Sequence, residues 1–355
     1  MNPDSKPPVQ NPTSPLTYSG SGVDIDRAGG AKARIGELAR STFGPGVVSD
    51  IGSFGGVYRP DLAPFQKPLL VSSADGVGTK LKIAFMTGIH HTVGVDLVAH
   101  CSNDILTQGA RPLFFLDYIA AGRIEGPVIE QIVRGLVEGC QASDCALLGG
   151  ETAEMPDFYA PGEYDLVGFI LGIVDEFKLL TRDLVQEGDL LIGLPSSGLH
   201  TNGFSLVRKL FFEREKLQPD SYIADLGKTV AEELLTPHRN YLPTLKELLQ
   251  ADDLHALAHI TGGGITDNLA RVLPQGLDAV IRRGTWEILP VFRFIRERGK
   301  VADAEMYRTF NMGLGMILVV AEDRLDRVQE FLRRQGVTFY AIGQISAGGG
   351  KVRYE

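Results

Sequence analysis

The stretch Val71–Phe85, "VSSADGVGTKLKIAF", holds the parts of a phosphate loop in an unfamiliar order. An apolar lead-in runs into an acid, two glycines, a threonine and a lysine. A Walker A loop requires G-x-x-x-x-G-K-[ST]; here Thr79 precedes Lys80, and one residue separates Gly76 from Gly78. A dinucleotide G-x-G-x-x-G also fails, because Lys80 and Leu81 follow where a glycine is needed. The residue types still suit an anion site between a strand and a helix, where glycine lets backbone amides approach a phosphate.

Two further turns share this character. "SSGLHTNG" (Ser196 to Gly203) and "TGGG" (Thr261 to Gly264) each follow a strand-like run and open a helix-like one. Three such turns on one chain point to a ligand with several phosphates, or to two phosphorylated ligands. His200 stands out in the second turn as a ring that could donate to a phosphate or act as acid or base. Its Ser/Asn/Gly surroundings are polar, so it is expected to titrate near its ordinary value of about 6.5.

Between the first two turns lies "GVDLVAHCSNDILTQGA", read as a helix. At about 100° per residue, Asp96, His100, Asn103 and Thr107 fall within about 60° of one another, with Asp104 about 40° beyond His100. The stripe lacks the lysine and glutamate of a solvated face. "DGVGTK" before it and "LLGGETAEMP" after it each place a carboxylate just after a strand. Asp75, Asp96, Asp104 and Glu151 are therefore the candidate Mg²⁺ ligands, more than one such ion ordinarily uses. "HALAH" spaces His255 and His259 by four but lacks the glutamate of H-E-x-x-H, so no metal site is expected there; His90 and His91 read as surface residues.

Strand-like and helix-like runs alternate along the chain, with a charged, irregular break near Val174 to Gly188. At 355 residues this is α/β (α+β mixed) material for two domains. The expected division is a disordered leader over 1–17, one domain over 18–177 and a second over 178–355. A net charge of −9 argues against nucleic-acid or anionic-membrane binding. No run approaches the roughly 20 apolar residues of a membrane span. Cys101, Cys140 and Cys145 form no C-x-x-C pair, which fits free thiols and a cytoplasmic location.

Seven segments together resemble one family: "YSGSGVDID" from Tyr18, "DGVGTKLKIA", "GVDLVAHCSNDILTQGARPLFFLDY", "LLGGETAEMP", "SSGLHTNGFSLVRK", "HITGGG" and "EMYRTFNMG". They run in order as in aminoimidazole ribonucleotide synthetase, the phosphoribosylformylglycinamidine cyclo-ligase family. The resemblance implies ATP- and Mg²⁺-dependent closure of formylglycinamidine ribonucleotide to aminoimidazole ribonucleotide in purine synthesis, with release of ADP and phosphate. It implies a homodimer in which strands of the N-terminal α/β domain build a barrel, and a C-terminal α/β domain closing over the site. It implies Gly20, Gly22, Gly76, Val77, Gly78, Thr79 and Lys80 at ATP, and Asn103, Ser196, Ser197, Asn202, Gly262, Gly263 and Gly264 at substrate. Asp104, His200 and Lys80 are the implied catalytic groups; Lys80 either reaches the phosphates or pairs with a neighbouring carboxylate. Many members carry a lysine just after the first tyrosine, where this chain has Ser19, Gly20 and Ser21. Other ATP-dependent phosphotransferases of the same superfamily, and a non-catalytic nucleotide scaffold, are the alternatives.

Overall fold

The computed structural model describes the backbone of residues 25–355 and side chains from residue 33 onward. The expected leader, and Gly20 and Gly22 with it, lie outside the described residues. The first unit contains α1 (Ile25–Arg40), β1 (Pro68–Gly76), α2 (Leu81–Thr87) and α3 (His91–Leu106). It continues with β2 (Arg111–Ala121), α4 (Gly126–Ala142), β3 (Ala146–Glu154) and β4 (Tyr164–Asp175). Its sheet runs β1-β4-β2-β3, antiparallel except for the parallel β2–β3 pair. Helices α3 and α4 pack on one face, burying Leu97, Ile105, Phe115, Ile132, Leu136 and Ile170.

Close approach of α3 and α4 depends on two glycines. A Cβ on Gly135 would overlap the His91 carbonyl oxygen, and one on Gly94 would overlap that of Ile132. The opposite face of the sheet is apolar and open: Leu70 is 65% exposed, Phe169 38% and Tyr118 38%.

Short 3₁₀ turns at Glu176–Lys178 and Arg182–Leu184 lead into the second unit. This begins with β5 (Leu190–Pro195), α5 (Phe204–Arg208), the small β6 (Tyr222–Ile223) and β7 (Lys228–Thr229), α6 (Val230–Leu234) and α7 (Leu242–Leu245). After these come β8 (Leu254–His259), α8 (Gly264–Ala270), β9 (Leu277–Ile281), α9 (Pro290–Gly299) and α10 (Asp303–Thr309). The chain closes with β10 (Leu314–Val320), α11 (Leu325–Arg334), β11 (Tyr340–Ala347) and β12 (Val352–Tyr354). The large sheet has the order β12-β9-β11-β5-β10-β8. Strand β10 is buried along its whole length, which is why "LGMILVV" is a continuous apolar run rather than an alternating one.

Several expectations need adjusting. The helix read from Phe204 to Glu215 is regular only to Arg208. Lys209–Arg214 widens into a π-helix, which buries the consecutive Leu210 and Phe211 together. Glu151 lies inside β3 rather than after it. His90 is buried, its Nδ1 3.0 Å from the Tyr164 hydroxyl, whereas a surface position was expected. All three cysteines are buried free thiols. Among the described residues no helix is long and apolar enough to cross a membrane.

Candidate functional site

Strand β1 carries Ser73 and Asp75 toward α3. Asp75 Oδ1 accepts the Gly76 amide at 2.7 Å, and Oδ2 lies 3.0 Å from His100 Nε2. The chain then turns through Val77, whose side chain is buried, and Gly78 (φ +70°) into a 3₁₀ turn ending at Lys80. Position 78 therefore needs glycine. Asp104, on α3, accepts from Ser73 Oγ at 3.0 Å and lies 2.8 Å from His259 Nδ1. Burial opposes ionisation of both carboxyls, but the His100 bond at Asp75 and the His259 bond at Asp104 hold them below the usual carboxylate range.

A third carboxylate belongs to the same face. The register aligns Asp75 with Gly168 and Gly168 with Asp117, so Asp117 stands two strands away, roughly 10 Å at the strand spacing. Burial first, and then the charge of Glu151, push Asp117 up to about 7. The sequence signal was present, a lone acid in the apolar run "PLFFLDYIA", but it drew no attention. Glu151 pairs with Tyr118, the neighbour of Asp117, so alternation sends its side chain to the opposite, open face. That separates it from Asp75 and Asp104, contrary to the expected four-carboxylate group.

Asp96 and Lys80 also depart from expectation. Both side chains are fully buried, with Lys80 Nζ 2.7 Å from Asp96 Oδ2. The ammonium further donates to the carbonyls of His200 (3.2 Å) and Thr236 (2.8 Å). Burial drives Lys80 down and Asp96 up, yet three acceptors around one Nζ suit an ammonium. Asp96 is enclosed, so it is no ligand for a metal at the loop, and Lys80 cannot extend to a phosphate there. The open choice for Lys80 resolves to the neighbouring carboxylate.

The polar stripe of α3 is thus a seam between the two units. Asn103 is fully buried, its Nδ2 donating to Arg239 O at 2.8 Å and its Oδ1 accepting the Tyr241 amide at 2.9 Å, so it is enclosed in the seam and not presented to a substrate. Asp96 Oδ1 accepts the His238 amide at 2.7 Å, and Ser143, beside the stripe on the first unit, accepts from Asn240 Nδ2 at 2.9 Å. Segment 236–241, which sequence reading passed over, is the partner of Asp96 and Asn103 in this stripe. It has no motif of its own because its bonds to Asp96 and Asn103 are made through backbone atoms.

Four imidazoles meet at the seam. His200 stacks on His238 with centroids 3.9 Å apart, His238 Nε2 lies 2.9 Å from His259 Nε2, and His100 Nδ1 lies 3.0 Å from Thr201 Oγ1. The Ser197 amide donates to His200 Nε2 at 3.2 Å, which assigns the proton to Nδ1; that atom is buried with no partner among the described residues. His200 is 1% exposed, and burial, then the charges of His259 and Lys80, hold it well below its ordinary value. The expectation of a solvated ring near 6.5 fails because the polar turn faces the other unit, not water. His238 is depressed for the same reason, and His259 is depressed by burial against the pull of Asp104. Burial also lowers His100, but the Asp75 bond and the charge of Asp104 outweigh it and leave that ring raised.

The other two turns meet on the second unit. Ser196 is spent on Asn311 (2.9 Å) and Ser197 on the Pro237 carbonyl (2.6 Å). Asn202 faces Gly262, and Gly263 and Gly264 both have positive φ at the start of α8. Ser205, one turn beyond Asn202, lies with its Oγ 3.2 Å from Thr79 Oγ1. The phosphate-loop sequence and the His200 turn, distant in the chain, therefore touch.

Two family descriptions match: AIR synthase related protein, N-terminal domain, over residues 56–174, and the corresponding C-terminal domain over residues 186–355. The chain is 51% identical over 333 residues to a phosphoribosylformylglycinamidine cyclo-ligase of Pseudothermotoga lettingae, covering 94% of this chain and 98% of that protein. It is 49% identical over 337 residues to the one of Brevibacillus brevis, covering 95% and 97%. Solved structures of the same fold include thiamine-monophosphate kinase from Stenotrophomonas maltophilia (TM-score 0.64, 20% identity, 91% of this chain and 95% of that one). The hydrogenase maturation protein HypE in complex with ATP has a TM-score of 0.63 at 16% identity, covering 90% and 88%.

Proposed function

The chain belongs to the phosphoribosylformylglycinamidine cyclo-ligase family and is a C–N bond-forming ligase of purine biosynthesis that closes the imidazole ring of aminoimidazole ribonucleotide; from that premise we propose how its residues divide the work. ATP phosphorylates the formyl amide oxygen of formylglycinamidine ribonucleotide, an internal nitrogen attacks that carbon, and phosphate departs with the oxygen. Such a reaction needs in-line positioning and charge neutralisation more than a protein nucleophile.

The N-terminal domain (18–177) holds ATP and the C-terminal domain (178–355) covers the substrate. In support of ATP as co-substrate, HypE of the same fold is known in complex with ATP. The amides of Gly76 to Thr79 face the phosphates. Asp75 and Asp104 hold Mg²⁺, with Asp117 as a third oxygen donor. The donor set fits a hard divalent cation, since all three are carboxylates on one sheet-and-helix face and burial, with the charge of Glu151, leaves Asp117 raised. Such an ion, when bound, neutralises phosphate charge. His200 offers its Nδ1–H, the buried donor without an acceptor, to the substrate. Asn202 and Gly262 to Gly264 lie where a ribose phosphate would meet the start of α8.

The observation that carries this reading is the contact of Thr79 with Ser205, which sets the loop beside Asp75 against the turn bearing His200. The test is incubation with ATP, Mg²⁺ and formylglycinamidine ribonucleotide, following aminoimidazole product. Equal product formation without ATP or without Mg²⁺ would refute this division of roles.

We also propose a homodimer. Support comes from the open apolar face of the β1-β4-β2-β3 sheet, where Leu70, Phe169 and Tyr118 are exposed. An antiparallel sheet often leaves one face to water, but such a face is polar. Pairing two such sheets face to face closes a barrel.

A further inference from the structure

Lys80 and Asp96 are both wholly enclosed, with Nζ 2.7 Å from Oδ2 and 2.9 Å from Oδ1. Replacing such a pair by apolar side chains of similar volume often leaves stability unchanged or improved, so stability alone does not account for it. What the ions add is direction. All three Nζ donors are used: one on Asp96, one on the His200 carbonyl, one on the Thr236 carbonyl. Asp96 in turn accepts the His238 amide at 2.7 Å. Two side chains of one domain thereby fix three backbone groups of the other, and two of these belong to the stacked rings His200 and His238. Lys80 also ends the 3₁₀ turn that begins at Gly78, and is next in sequence to Thr79, the last residue of the loop.

We propose that Lys80 and Asp96 are positioning residues for the ring closure, a clasp through which occupancy of the Gly76–Thr79 loop sets the placement of the His200 turn and of segment 236–241. This rests on the reading of the loop as the nucleotide site. Neither residue touches nucleotide or substrate. A shift of the loop is transmitted through Nζ to two carbonyls and through the carboxylate to one amide, a contiguous polar path between two sites.

The test begins with the unmodified protein. Backbone hydrogen exchange is measured over residues 196–203 and 236–241 with and without AMP-PNP and Mg²⁺. Filling the loop is expected to slow exchange there about fivefold or more, although both segments lie in the other domain. Unchanged exchange at saturating nucleotide overturns the proposal. The second arm is Lys80→Met with Asp96→Asn, which removes both charges at nearly constant volume. The melting temperature is expected to fall, because the buried His200 and Thr236 carbonyls lose their donor, with the KM for ATP changing less than about threefold. The kcat is expected to fall about 100-fold, the scale of a small misplacement of reacting groups. The exchange response should vanish in the same variant. Retention of kcat, whatever the melting temperature, would reduce the pair to a structural filler, and a rise in the KM for ATP matching the loss of kcat would make Lys80 a phosphate ligand. If the double variant does not fold, the exchange arm decides alone. Absence of ring closure by the unmodified protein would instead strike the functional reading, which the exchange arm does not depend on.

Discussion

The imidazole of His200 lies over that of His238, centroids 3.9 Å apart and planes tilted by 23°, at the junction of two domains. Two stacked, enclosed rings cannot both carry charge without strong repulsion, and burial already holds each well below its ordinary pKa. His200 is thus a neutral hydrogen-bond donor at neutral pH, not a proton shuttle. His200→Ala is expected to lower kcat by about 10²-fold or more, within the span of acid–base and donor assistance. His200→Asn, which still offers one N–H, should stay within about tenfold of the parent. Equal loss in both variants would return the ring to an acid–base role.

The same two rings make stability depend on pH. As pH falls below about 6.5, the unfolded chain takes up protons that folded His200 and His238 refuse. Their contribution is complete above that value and is lost as pH falls, at up to about 1.4 kcal/mol per ring and per pH unit. His100 is raised by Asp75, so it acts in the opposite sense: its contribution is present below about 6.5 and lost as pH rises through its folded value. With four depressed rings (His90, His200, His238 and His259) against one raised ring, urea midpoints should drop between about pH 7.5 and about pH 5.5, and His238→Gln should flatten that slope. A parent protein equally stable at both values would contradict the assignment.

Asp75→Asn and Asp104→Asn should each remove several kcal/mol of transition-state stabilisation, roughly a thousandfold in kcat/KM, with the fold intact by circular dichroism. Glu151→Gln should cost less than about tenfold, because Glu151 points to the other face of the sheet. A Glu151→Gln loss as large as that of Asp75→Asn would show that this carboxylate reaches the ion after all.

Gly135→Ala tests the helix crossing. Its methyl group would overlap the His91 carbonyl, so α3 and α4 must separate. A cost of about 2–4 kcal/mol is expected, within the range of overpacked cores, and read as a fall in denaturation midpoint. Because α3 carries Asp104 and His100, kcat should drop as well. An unchanged midpoint would mean the helices have more room than the backbone distances allow.

The open sheet face makes a prediction about mass. A homodimer built on it should bury more than about 2,000 Å², and Phe169→Asp with Leu70→Asp should yield monomers. Sedimentation of the parent as a monomer at micromolar concentration would refute the dimer.

How much of this could be read from the sequence varies by element. Strands β1, β2 and β4, helices α3 and α4, and the three glycine turns follow local periodicity and turn chemistry, and were legible. The stripe of Asp96, His100 and Asn103 was recognised as unlike a solvated face, but periodicity says only which residues share a side, not what meets them. The partners of Asn103, Arg239 and Tyr241, are 136 and 138 residues away from it and bond it through backbone atoms, so no side-chain pattern announces them. Glu151 was misplaced because β3 does not stop before it but runs on to Glu154. His200 was misjudged because a polar turn that packs against another domain looks identical in sequence to one that faces water.

Segment 236–241 is gripped by the carbonyls of Thr236, Pro237 and Arg239 and by the amides of His238 and Tyr241, each bonded to a side chain of the loops and helix around it. Every residue type except proline presents the same carbonyl and amide. At these five contacts the specificity is therefore written on the other side, whereas Asn240 and the His238 ring add side-chain contacts of the segment's own, to Ser143 and His259. Substitutions at Thr236 that respect the backbone path should be absorbed, while equally modest ones at Lys80, Asp96 or Asn103 should not. A saturation scan would be lopsided between partners of one bond, permissive at Thr236, where only a carbonyl is held, and strict at Lys80, which does the holding.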